Sequence, residues 1–445
     1  MSLVSRQSLS DYFAQDRLFW RRLGRAVIIG GLAGAMALAF VLIVKIGTDL
    51  FWPEDIDYGW LGGEWWWLAI LGSTGLVVGI LRVVTHIPDD INGSLTIIQD
   101  GAVDRSTALQ AIGISIVSLV GGASLGPFDA GVRSGAFVGD RYATFRKLPD
   151  KERQVDAVSG INGALGGLLT APIIATLFVT ELRWPERRNL YRALLPAMAA
   201  SIFGFAVSFA IIGDTFLGVF AMPSYEVRFW HFGLAIILGF LAASLSWLLG
   251  LTVSVLRSWI VPLLSNQVVR STVGGLALGG IAILLPLTLA SGKGELGIAI
   301  DNVEQIGVVL LLAVVGAKIV AVAISLTTGF IGGPVMPTLF IGGAAGLAVH
   351  AMFPGIPIAL AFSCMLVAVP GVSIGAPFSM VFLAALTVGV GAVETAPAAV
   401  AVLTAYTLHA GLGWFGLPTD KAIVDIDEVT VQSELFELGA EAEET

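Results

Sequence analysis

The chain has 445 residues, 56% of them hydrophobic and 13% charged, with a mean hydropathy of +0.88. A soluble globular domain carries about 25% charged residues, so this deficit excludes an ordinary water-soluble enzyme and points to an integral membrane protein. The net charge of −9 comes with no clustered basic face for a nucleic acid, and the single cysteine, Cys364, excludes an intramolecular disulfide framework.

In chain order, residues 1–23 are polar and arginine-bearing, with no cleavable leader pattern, and read as a cytoplasmic N-terminal segment. A first membrane repeat is expected over 24–220, with apolar runs near 24–50, 66–86, 107–121, 157–182 and 190–220. Between the first two runs, Trp52, Trp60, Trp65, Trp66 and Trp67 read as an outer-interface aromatic belt. A second repeat is expected over 228–423, with runs near 230–264, 272–290, 304–326, 336–352, 356–369, 376–392 and 396–413. Residues 424–445 are acidic and read as a solvated cytoplasmic tail. Several runs are too short for the ~20 residues of a straight span. Broken segments are tolerated at membrane depth only where backbone is buried in protein or lines a cavity, which indicates a transporter or channel. Basic residues crowd the N-terminus, Arg141 to Arg153, and Arg183 to Arg192, so all three are expected on the cytoplasmic side.

The halves echo each other. Ala171-Pro172-Ile-Ile-Ala-Thr-Leu-Phe178 has a counterpart in Ala376-Pro377-Phe-Ser-Met-Val-Phe382, and Ser124-Leu-Gly-Pro127 has one in Gly332-Gly-Pro334 at nearly the same offset. Inverted-repeat transporters place their sites where such broken helices meet. Three glycine-rich stretches open apolar runs: Asn92 to Thr96, Gly121 to Gly131, and Gly329 to Pro337. Glycine lets backbone approach an ion, and a helix starting just beyond aims free N–H groups at it.

Gly122-Ala-Ser124-Leu-Gly126 also fits the G-x-S-x-G of a serine hydrolase, and an intramembrane hydrolase using Ser124 is the reading from another class. None of the four histidines (His86, His231, His350, His409) stands in a partner motif, so catalysis is disfavoured. No H-x-x-x-H pair or cysteine cluster points to a metal, and no cofactor is expected.

Four blocks occur in order: Asn92-Gly-Ser-Leu-Thr, Gly122-Ala-Ser-Leu-Gly-Pro127, Ala157 to Glu181, and Gly332-Gly-Pro-Val-Met-Pro337. The series resembles the CLC family of chloride channels and chloride/proton antiporters over residues 25–423. The resemblance implies an all-α polytopic membrane protein of two inverted repeats, and a homodimer with a separate pore in each subunit. It further implies a small inorganic anion as substrate, chloride foremost; the C-terminal CBS domains of many eukaryotic members are not expected, because only the short acidic segment 424–445 follows the last apolar run.

Departures from the family pattern carry the functional expectation. Where the family has G-S-G-I-P, this chain has Gly93-Ser94-Leu-Thr-Ile97, so Ser94 is the expected hydroxyl ligand. Where the family has G-[RK]-E-G-P, Ser124, Leu125 and Gly126 stand, with Leu125 at the gating glutamate. Leu182 stands where antiporters carry the inner proton-transfer glutamate. Leucine cannot hold a proton, so passive anion conduction without proton coupling is expected, Leu125 being either an apolar constriction or a displaced side chain. Asp129 is the nearby carboxylate that could substitute, unless backbone N–H groups satisfy it. In the third motif Pro334 lacks an N–H, leaving Val335 as donor. The family's pore tyrosine aligns with Asp420, and Tyr406 is the alternative for the inner side of the pore. The competing transport reading is a secondary transporter of fluoride, nitrate or bicarbonate with other coupling.

Overall fold

A computed structural model of the chain describes residues 17–52, 61–89, 91, 93–183, 190–213 and 219–411. Among these residues the regular structure is helical: sixteen α-helices and one 3-10 turn, Pro286–Thr288, with no strand. In lipid every backbone N–H and C=O must be satisfied within the segment, which leaves the helix as the default for an apolar chain of this composition. Seven of the helices are long and apolar enough to cross a membrane.

The first eight helices are α1 (Arg17–Phe51), α2 (Trp66–Val84), α3 (Ser94–Asp100), α4 (Arg105–Val120), α5 (Phe128–Phe145), α6 (Asp150–Leu169), α7 (Pro172–Leu182) and α8 (Leu190–Ile212). The next eight repeat the series: α9 (Phe229–Leu263), α10 (Gln267–Leu284), α11 (Lys293–Asp301), α12 (Val303–Thr327), α13 (Val335–Met352), α14 (Ile358–Ile374), α15 (Pro377–Val388) and α16 (Ala392–Gly411). The correspondence reaches local detail. Helices α1 and α9 have 35 residues each, and α5 and α13 have 18 each. Helices α6 and α14 both end on a left-handed residue, Thr170 (φ 48°) and Gly375 (φ 79°). An Ala-Pro pair then starts the next helix, with Pro172 and Pro377 at its first position, where a missing N–H costs nothing.

The apolar run 157–182 is accordingly two helices, broken at Thr170-Ala171 beside the Ala-Pro pair that the echo between the halves had singled out. Helix α5 is absent from the expected runs. Asp129, Arg133, Asp140 and Arg141 hide its membrane character, yet nearly all of Phe128–Ala136 is buried. The expected aromatic belt is also revised. Trp65 is exposed, whereas Trp52 and Trp67 are buried and stack edge to face at 6.0 Å; Trp60 lies outside the described residues.

Glycines set the helix spacing. A Cβ at Gly139 of α5 would lie 2.0 Å from the Asp156 carbonyl oxygen of α6, and one at Gly135 would lie 2.4 Å from that of Gly160. The corresponding pair repeats the contact, since Gly342 and Gly346 of α13 would meet Met365 and Ala361 carbonyl oxygens of α14 at 2.2 and 2.6 Å. Small residues let backbones close to van der Waals contact, the packing available where lipid offers no hydrophobic drive between helices.

Candidate functional site

The two repeats cross at their glycine-proline turns. Gly126 N–H donates to the Gly333 carbonyl and Gly333 N–H donates back to the Gly126 carbonyl, each at 2.8 Å. A second reciprocal pair flanks the first. Ser124 N–H donates to Ser325 Oγ of α12, and Ile331 N–H donates to Ser118 Oγ of α4, both at 3.2 Å. Each hydroxyl in turn donates to the carbonyl four residues back, Ser118 to Ile114 at 2.9 Å and Ser325 to Ala321 at 2.8 Å. Four extended backbone groups at membrane depth are thereby satisfied, and each repeat supplies the hydroxyl that holds the other's turn.

Beyond the crossing, Pro127 and Pro334 cap α5 and α13 in the same conformation (φ −74°, ψ −4° and φ −81°, ψ −6°). The first intrahelical bonds are Gly131 N–H to Pro127 and Thr338 N–H to Pro334. Helix geometry therefore leaves the N–H groups of Phe128, Asp129 and Ala130 without an intrahelical acceptor, and likewise those of Val335 and Met336. The Gly126–Gly333 bonds bring the starts of α5 and α13 together, and Leu95, Phe128 and Val335, near the starts of α3, α5 and α13, all lie in the same large buried apolar core.

Ser94 is the first residue of α3, 6% exposed, and its hydroxyl makes no hydrogen bond to a described residue. Leu125 is 0% exposed, and a Cβ on Gly332 would lie 2.7 Å from its Cβ. Its side chain is packed inside the protein against the second-repeat turn. Gly126 spends its N–H on the Gly333 carbonyl and has no free backbone donor. Val335 keeps its N–H free of intrahelical bonding. Ser124 is 1% exposed and its hydroxyl has no partner. No histidine reaches it: His231 accepts from Arg228 N–H at 3.1 Å, and His350 Nδ1 lies 2.7 Å from the Ile356 carbonyl. Tyr406 is half-buried in α16, within electrostatic reach of Glu181, and Asp420 lies outside the described residues.

Asp129 is not held by backbone N–H groups as its position had indicated; its carboxylate is bound by Arg133 on the same helix at 2.6 Å, both side chains buried. Two groups were missed from sequence. Glu181 accepts from Phe378 N–H (2.8 Å), Ser379 N–H (2.9 Å) and the Ser379 hydroxyl (2.5 Å), so a first-repeat carboxylate caps second-repeat helix α15. Lys318, fully buried in α12, donates to the carbonyls of Thr288, Leu289 and Ala290 at 3.0, 3.3 and 2.7 Å and lies 4.9 Å from the Phe340 ring. Ala290 N–H reaches the Gly122 carbonyl at 3.1 Å, so the lysine braces the Leu125 turn through one intervening loop. The signal for Lys318 was a lone cation in a long apolar run.

Comparison with known proteins agrees with this architecture. The chain is 25% identical over 363 residues to YfeO of Escherichia coli O17:K52:H18, covering 77% of this chain and 82% of that protein. It is 29% identical over 359 residues to the chloride channel protein CLC-e of Arabidopsis thaliana, covering 75% of this chain and 50% of that protein. Among solved structures, a CLC-type fluoride/proton antiporter superposes with a TM-score of 0.74 at 20% identity, over 87% of this chain and 95% of that one. A slow cyanobacterial Cl−/H+ antiporter superposes with the same score at 17% identity, over 92% and 99%. The model of the voltage gated chloride channel family matches residues 88–410, including all three glycine-rich turns from Gly93 onward, and the chain is a member of that family, the CLC anion-transport proteins of the membrane.

Proposed function

We propose that the protein conducts small inorganic anions, chloride foremost, passively across the bilayer, with no proton coupling and no enzymatic step. The observation that carries this reading is Leu125. It sits fully buried at the turn where the repeats bond to each other, and by the motif resemblance it stands where the family carries its gating glutamate. Its nearest substitute in sequence, Asp129, is already engaged in a buried ion pair with Arg133 at 2.6 Å. The inner position carries Leu182, and its neighbour Glu181 is engaged by three donors.

The anion is held by the free N–H groups at the starts of α5 and α13, Val335 among them, and by the Ser94 hydroxyl. Donors without a full counter-charge favour passage over trapping. Ser124 contributes its unpartnered hydroxyl and Gly126 its close backbone, while Tyr406 or Asp420 lines the inner side. Each subunit of a homodimer holds its own pathway, and the arginine-rich N-terminal end faces the cytoplasm.

The test is anion flux from proteoliposomes with chloride, nitrate, fluoride and sulfate compared while external pH is recorded. Chloride flux without accompanying proton movement is expected, and Ser94→Ala should change the order of preference. Ser124→Ala should leave flux largely intact. Uphill proton movement driven by an anion gradient would establish coupled transport of that anion instead.

A further inference from the structure

We propose that Arg82 and Arg270 form a second anion-binding site, at the end of the α2–α10 pair, with the Asp89 carboxylate as its exchangeable occupant. Helices α2 and α10 run antiparallel in backbone contact. A Cβ at Gly75 would lie 2.2 Å from the Ser271 carbonyl oxygen, and one at Gly79 would lie 2.6 Å from Val268 Cα. This approach brings the last turn of α2, with Arg82, against the first turns of α10, with Arg270.

Both arginines are buried, at 3% and 2% exposure. Arg82 donates to the carbonyls of Gly329 (3.1 Å) and Pro88 (2.6 Å), and Arg270 donates to Asp89. The Nε of each has no hydrogen-bond partner. Among the described residues Asp89 is the one carboxylate that meets either guanidinium, bonded to Arg270 and 3.6 Å from Arg82. Two buried cations therefore share one anion. The positive end of the α10 dipole adds to the excess at Arg270. At low dielectric such an excess attracts a counter-ion strongly, and a buried guanidinium N–H without an acceptor is costly.

Asp89 is the removable member. Its side chain is 44% exposed, and it stands on the connection between α2 and α3. A carboxylate and a halide compete for the same guanidinium N–H groups, so when Asp89 turns outward a small monovalent anion takes its place. The position gives the exchange a use. Gly329, held by Arg82, opens the stretch that reaches the crossing at Gly333, and the segment after Asp89 leads to Ser94. An ion held here waits beside two of the three turns that form the candidate pathway. That role rests on the anion-conduction reading; the binding chemistry does not.

The experiment uses the full-length protein crystallised in sodium bromide, with bromide located by anomalous scattering. Bromide is expected within hydrogen-bond distance of Arg270 Nη2 or Arg82 Nη2, the atoms that face Asp89, at higher occupancy in Asp89→Asn and absent in Arg270→Gln. In chloride flux, Asp89→Asn should lower the half-saturating concentration and Arg270→Gln should raise it by about tenfold, with maximal flux retained. Should Arg270→Gln fail to fold, Asp89→Asn, which keeps both arginines, decides alone. Absence of bromide at both guanidiniums in the wild type and in Asp89→Asn overturns the proposal, as does unchanged half-saturation in Asp89→Asn. Bromide at the arginines in a protein that carries no chloride flux would sink the conduction reading and leave this site standing; flux with no bromide there would do the reverse.

Discussion

The two repeats share their backbone and differ in their charge. Gly135 and Gly139 have counterparts in Gly342 and Gly346, Ser118 in Ser325, and Pro127 in Pro334, each making the equivalent contact. Charge follows no such rule. In the first repeat Glu152 binds Arg22 and Arg25, Asp156 binds Arg25 at 3.0 Å, and Asp140 binds Arg105 and Arg153. The second repeat instead buries Lys318 on three carbonyls, with Glu295 as its electrostatic partner. Duplicated geometry places the helix ends symmetrically about the crossing, so any directionality of the pathway comes from the unduplicated charges.

The largest effect is expected where the repeats match best. Gly139→Val and Gly346→Val each drive a side chain into a facing backbone carbonyl, and both should abolish recovery of folded protein on size-exclusion chromatography in detergent. If only one did so, the structural equivalence of the two glycine contacts would fail.

Charge substitutions come next and should be unequal. Lys318→Met leaves Glu295 buried without its cation and frees three carbonyls, at a cost of about 3–5 kcal/mol in unfolding measurements. Glu152→Gln weakens its pairs with Arg22 and Arg25 but leaves Arg25 its second carboxylate, Asp156, and should cost less, about 1–2 kcal/mol. Equal losses would contradict the greater dependence of the second repeat on its single buried lysine.

The serine pair sharpens the comparison at the smallest scale. Ser118→Ala and Ser325→Ala each remove the acceptor of one cross-repeat N–H, and each should cost about 1 kcal/mol. A difference well beyond that between them would mean that the crossing is not symmetric in energy.

Much of this was legible in the sequence, for particular reasons. Apolar runs located the long helices because lipid imposes helix on apolar chain. The Ala-Pro and Gly-Pro echoes located both breaks of the repeat, since proline starts helices in a way that sequence exposes. The start of α5 was legible in the glycine-rich stretch before it, but its length was missing from the apolar runs because its charges are paired inside the protein, Asp129 with Arg133, and hydropathy counts a paired charge as a solvated one. Helices α3 and α11 are too short for their periodicity to stand out. At the site, the three turns were visible, but the bonds between them were not. Gly126 stood in the second motif with nothing to show that its N–H is bonded to Gly333. Partners hundreds of residues apart, such as Ser124 with Ser325 or Glu181 with Ser379, follow from the crossing of the repeats and leave no local signal. Arg82 and Arg270 likewise look like ordinary helix-end cations until the glycine contact between α2 and α10 brings them together.

The central claim is that a leucine at the crossing separates anion movement from proton movement. Proteoliposomes loaded with chloride and diluted into low chloride, with chloride and pH electrodes read together, test it most directly. Chloride efflux with no uphill proton uptake is the predicted result for the wild type. Protons driven inward against their gradient by the chloride gradient, abolished by an uncoupler, would contradict it.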